Sequence, residues 1–148
     1  MATYLKQRPP AWFWIVAILF LLWGAMGCWA CYQQFRIGAD AWGDPANAEY
    51  NRALYASLPA WYNYIYAIAV GTALLGALAL LARSAAARLL FIVSAVAIVV
   101  QFGYAFLTTD LIAHKGAAAV LPFPILIFVI ALVEIWFAGL ARRRGWIS

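Results

Sequence analysis

The sequence predicts an all-α integral membrane protein, a bundle of four membrane-spanning helices. Three observations carry that reading. Apolar residues make up 68% of the 148-residue chain, and a water-soluble domain of this length leaves too much of its surface outside to hide them. Charged side chains are absent from residues 9–35, 53–82, 89–109 and 116–133. A helix rising about 1.5 Å per residue needs roughly 20 residues to cross a hydrocarbon core about 30 Å thick, so each stretch crosses once. The runs are also continuously apolar rather than alternating, which selects helix over barrel strand. Within lipid a helix satisfies its own backbone donors and acceptors.

The expected spans cover residues 11–31, 60–81, 89–106 and 120–140 of a single domain. The first follows Lys6 and Arg8, and Ala25-Met26-Gly27-Cys28 faintly resembles a lipoprotein cleavage site. Its apolar run exceeds a usual signal core and no small residue follows Cys28, so it reads as a retained helix. The first outer loop, 33–58, contains Asp44-Pro45, a helix-start pattern. Beyond it Ala46, Tyr50, Leu54 and Leu58 recur every four residues. That stripe fits a short amphipathic helix on the membrane surface or an ordered loop packed over the bundle.

The second span carries small residues at Ala69, Ala73 and Ala77, with Gly76 alongside, a face that lets another helix approach closely. Residues 82–88 form a turn so short that the second and third spans must be antiparallel neighbours. Residues 110–116 read as one capped helical turn. Pro122 and Pro124 fall in the first turn of the fourth span, where a missing backbone donor costs little.

Charge sets the expected orientation. Lys6, Arg8, Arg83, Arg88, Arg142, Arg143 and Arg144 fall on one side, whereas Arg36, Arg52 and Lys115 on the other are mixed with Asp40, Asp44, Glu49 and Asp110. The positive-inside rule then puts both chain ends in the cytoplasm of a cell with this protein as a multi-pass component of the inner membrane. The net charge of +5 is read as orientation toward anionic lipid, with the bilayer as partner and no nucleic acid. Aromatic belts agree: Trp12, Trp14, Trp136 and Trp146 near the inner interface, and Trp29, Tyr32, Trp61, Tyr62 and Tyr104 near the outer.

Four residues are candidates for a binding site. Glu134 is a carboxylate within a span, costly unless paired, protonated or wet, and such residues are often functional. Helix rise puts it roughly 9 Å into the core, with Ser94 at similar depth. It reads as a proton- or cation-coupling group, or as a side chain bonded to a neighbouring helix or reaching toward Arg142. Gln101 falls near mid-membrane, level with Trp23; its amide can bind a substrate hydroxyl or join two helices. Cys28 and Cys31 have the spacing of a redox pair. Bundle size, topology and thiol position resemble the DsbB family of disulfide-generating proteins, which needs a second cysteine pair in the other outer loop. Residues 110–119 contain none, and two small buried apolar side chains are the favoured reading. His114 stands alone, so no metal site is expected, and no cofactor motif is present.

The chain also resembles a family of small bacterial inner-membrane proteins of about this length that often carry the automatic label "sugar transporter". The likeness covers most of the chain. It rests on Pro10-Ala-Trp-Phe-Trp-Ile-Val, Leu22-Trp-Gly-Ala-Met-Gly27, Pro59-Ala-Trp61, residues 71–81 followed by Arg83, Leu90-Phe-Ile-Val-Ser94, Gln101 and Arg144-Gly-Trp146. Members often have Asn where Gly24 stands here. The label implies no functional residue for this chain.

With no catalytic constellation, the leading expectation is a non-enzymatic accessory or scaffold component that associates with itself or with a larger membrane complex. The second is a small-solute or cation transporter. Four spans make a thin-walled bundle, so it would work as an oligomer, with Glu134 as the coupling residue and Gln101 and Trp23 along the path. A thiol–quinone oxidoreductase using Cys28 and Cys31 is the third.

Overall fold

The fold is described from a computed structural model covering residues 8–148; Lys6 lies outside them. Pro10 is extended, and its carbonyl accepts from the Phe13 amide at 3.0 Å to open helix α1, Ala11–Ile37. Gly38, at φ +65°, ends it. Two short 3-10 turns, Gly38–Trp42 and Pro45–Asn47, lead into α2, Ala48–Ser57. Then come α3, Ala60–Leu81; α4, Ala86–Thr108; the short α5, Leu111–Lys115, and α6, Ala117–Val120; and α7, Pro122–Arg143. Helices α1, α3, α4 and α7 are long and apolar enough to cross a membrane, and no strand forms among the described residues.

Helix α3 packs against both α1 and α4, and α4 packs against α7. Small residues make those approaches close. A Cβ on Gly24 would lie 3.0 Å from the Leu74 Cα, and one on Gly27 would lie 3.0 Å from Val70 Cγ1. One on Gly76 would meet the Phe91 ring at 2.6 Å. Gly24 is therefore where α1 rests on the α3 backbone, and an Asn there would force the two helices apart. Ala69, Ala73, Ala77 and Gly76 are all buried, so the small-residue face of the second span is used inside the fold.

At one end of the bundle the start of α1, the C-terminal residues and the α3–α4 turn gather around an aromatic core of Phe13, Phe91, Phe137 and Trp146, with Leu80 and Ile147. Arg83 adopts φ +57° in that turn, and its Nε donates to the Trp146 carbonyl at 2.9 Å. The Ser148 amide donates to the Arg83 carbonyl, and the Ala85 amide to that of Ser148, each at 3.1 Å. Here α1 and α7 are joined by rings: Trp12, Phe13 and Phe20 all contact Phe137. Among the described residues no ring contact joins these two helices farther toward the loop end.

Several boundaries and placements differ from expectation. Helix α1 runs to Ile37, beyond the expected 31, and of the polar residues in that added length Gln34 is buried while Tyr32 and Arg36 are exposed. Helix α2 starts at Ala48, so Ala46 lies in the turn before it and is exposed, and Asn51 joins Leu54 on the buried face. The Asp110 carbonyl accepts from the His114 amide at 2.7 Å, but its side chain makes no capping bond to α5 and accepts instead from the Tyr50 hydroxyl at 2.6 Å. Trp146 and Tyr62 are each 7% exposed and belong to the interior rather than to an interfacial belt. Trp12, Trp29, Tyr32, Trp61 and Trp136 are exposed, as belt residues should be.

Candidate functional site

The space left between α1 and α7, floored by α3 and α4, is a cavity of about 510 Å³. It is lined by Trp23 from α1, Ser94 and Gln101 from α4, and Glu134 from α7. All four candidate residues thus meet in one space, although three different helices supply them. Helix periodicity explains part of this: Ser94, Ile98, Gln101 and Ala105 follow the three- and four-residue steps of one helix face and all line the cavity.

Glu134 is 2% exposed, and its Oε2 has no hydrogen-bond partner among the described residues. It is not paired with Arg142; the ion pairs formed among the described residues are Arg52–Asp40 and Lys115–Asp44. An unpartnered carboxylate oxygen in an apolar interior costs more than almost any other side-chain defect. Ser94, 1% exposed, is already used: its Oγ donates to the Ala69 carbonyl at 2.7 Å and ties α4 to α3. Gln101 sits beside the Tyr62 phenol and is 7% exposed.

The loop end of the cavity is closed by polar networks that sequence reasoning missed. Gln34, one turn before the end of α1, donates from Nε2 to Asn63 Oδ1 at 2.7 Å and accepts from the Trp42 indole at 2.8 Å. Asn63 Nδ2 donates to the Tyr55 hydroxyl at 2.7 Å. These bonds lock the first loop onto the ends of α1 and α3. The only signal in the sequence was an amide at each span boundary, Gln34 and Asn63, which reads equally well as solvated. Lys115 closes the other side. Its Nζ donates to Asn51 Oδ1 at 2.6 Å and to Asp44 Oδ2 at 3.0 Å, and it also lines the cavity. Tyr50 stacks on His114 with ring centroids 3.7 Å apart, which accounts for the lone histidine.

The Lys115 hydrogen bond, then that of Asn47, holds the Asp44 carboxyl below its ordinary value of 3.8. Burial, then donation to Asp110, pushes the Tyr50 phenol up to about 12. Because the folded Asp44 titrates lower than the unfolded one, its contribution is fully present above 3.8 and is lost as pH falls through the folded value. Thermal unfolding should therefore lose stability as pH drops below about 4. Lys115→Ala should start less stable and show a flatter acid dependence. An acid dependence identical to that of the unaltered protein would mean the latch contributes nothing.

The two thiols stand apart from the cavity. Cys28 Sγ lies 3.5 Å from the Val70 carbonyl, Cys31 is buried, and both are free. No protein-family model matches the chain, no curated protein matches it, and no solved structure matches its fold. The likeness to the small inner-membrane family rests on the quoted motifs alone.

Proposed function

We propose that this protein binds a small solute in its intramembrane cavity and moves it across the bilayer, with Glu134 as the coupling residue. One observation carries the reading: an unpartnered, buried carboxylate oxygen belongs to a residue lining a cavity of about 510 Å³. Ligand sites in proteins have volumes in this range, with mostly apolar walls and a few convergent polar groups. Intramembrane ionisable residues mark solute and ion pathways more often than they serve packing. The expectation of an accessory or scaffold component rested on the lack of a catalytic constellation and on the small-residue faces. The face on α3 is buried within the fold, and the cavity is what favours transport. No catalytic step belongs to the proposal.

The same reading takes the protein as a multi-pass component of a bacterial inner membrane, both chain ends in the cytoplasm. Arg8, Arg83, Arg88 and Arg142 to Arg144 lie next to the start of α1, the α3–α4 turn and the end of α7. At the loop end Arg52 and Lys115 are each matched by a carboxylate, which leaves the positive excess on the cytoplasmic side. A four-span wall is thin, so the working unit is an oligomer.

Uptake by reconstituted vesicles under an imposed proton gradient tests this. A panel of sugars, amino acids and organic cations should contain at least one solute that accumulates above protein-free vesicles. Glu134→Gln should cut that accumulation by about tenfold or more, the equivalent of losing one good charge interaction. If nothing in the panel accumulates, or if the variant matches the unaltered protein, the reading fails.

A further inference from the structure

The chemistry of the cavity also restricts what enters it, an argument that rests on the reading of this space as the solute site. Some of its polar groups are already occupied. Both ends of the Gln34 amide are bonded, to Asn63 and to Trp42, and Ser94 already donates to Ala69. A polyol such as a sugar would have to find its partners among Gln101, Tyr62, Tyr66 and Trp23, and each hydroxyl left unmatched carries a desolvation cost. A bare metal cation needs several oxygen ligands, and Glu134 is the one acidic residue lining the space. An anion finds only Lys115, whose charge is matched by Asp44 and whose remaining bond goes to Asn51.

What remains unpartnered and buried is one carboxyl group, that of Glu134, 2% exposed, and a cation beside it would favour its ionised form. The same cavity has aromatic walls: Trp23, Tyr62, Tyr66, Phe102, Phe106 and Phe123 all line it. Aromatic faces attract cations, more strongly where water is excluded, and their bulk accommodates an apolar body. We infer that the cavity takes a monovalent organic cation with an apolar body, a lipophilic ammonium or phosphonium, whose charge lies against Glu134. A ligand of this kind gains from both features and asks for no hydrogen bonds that the walls lack.

Tetraphenylphosphonium and tetraphenylborate share size and shape and differ in the sign of their charge. Equilibrium dialysis of each against the full-length protein in mild detergent, corrected for detergent alone, reads the preference directly. The phosphonium should bind saturably and about tenfold or more tighter than the borate, and Glu134→Gln should weaken it by a similar factor. Equal binding of the two ions to the unaltered protein would overturn the inference, and that comparison needs no variant to fold. Undiminished phosphonium binding by Glu134→Gln would overturn it as well. The two readings separate cleanly. Saturable phosphonium binding without movement into vesicles upholds the inference and ends the transport reading, whereas transport of a neutral solute without phosphonium binding does the reverse.

Discussion

Replacing Glu134 with Leu should make the protein more stable by about 2 kcal/mol, because a charged or unpaired acid inside a span costs about 2–3 kcal/mol, while abolishing solute binding. The two effects point in opposite directions, and that contrast is informative. A glutamate that joined two helices would hold a partner, and its loss would lower stability by leaving that partner stranded. Here the residue is 2% exposed, its Oε2 bonds to nothing described, and its neighbours along α7 include buried Ala131 and Ala138. Leu has similar bulk and no polar atom to satisfy. Chemical denaturation in detergent, run beside phosphonium dialysis, reads both effects on one preparation. Loss of stability in the variant would show that Glu134 serves packing, and the cavity would lose its charged end.

Gly24→Leu should do the opposite, costing about 3 kcal/mol, the upper end of what overpacking inflicts on a closely fitted core. The first added carbon already falls 3.0 Å from the Leu74 Cα and 3.1 Å from its amide nitrogen. These are backbone atoms, so no side-chain rotation relieves the clash, and α1 must lift from α3. Gly24→Ala needs a shift of a few tenths of an ångström and should cost about 1 kcal/mol. Since Gly24 also lines the cavity, the larger variant distorts the site as it separates the helices. Thermal unfolding of the pair checks the gradation; equal stability of Leu, Ala and Gly at this position would show that α1 and α3 are not in such close contact.

The four spans were legible because lipid imposes a simple rule: enough consecutive apolar residues to cross, with no charge among them. The span 60–81 matches α3 at both ends. The four residues singled out in the sequence do line one cavity. What could not be read was direction around each helix. In lipid both faces of a span are apolar, so the amphipathic pattern that reveals an inner face in a soluble helix is missing. That is why Tyr62 was placed in a belt when it is buried. Long-range polar bonds were equally hidden: Gln34 pairs with Asn63 and Trp42, and Lys115 with Asp44 and Asn51. Each of those residues, taken alone, looks like an ordinary solvated loop residue. Helix α1 continues past the expected span to Ile37, and the buried amide of Gln34 within that added length was not singled out in the sequence.

If Glu134 is a membrane-embedded carboxyl group at the side of a ligand cavity, an apolar carbodiimide should find it. Such reagents partition into the bilayer and modify carboxyl groups held in apolar surroundings. Native membranes would be treated with and without tetraphenylphosphonium, and the protein mapped by peptide mass spectrometry. The chain has five acidic residues, and the account predicts one adduct, on Glu134, suppressed by the phosphonium. Modification of Asp40, Asp44, Glu49 or Asp110 with Glu134 untouched, or labelling of Glu134 that the phosphonium leaves unchanged, would contradict it.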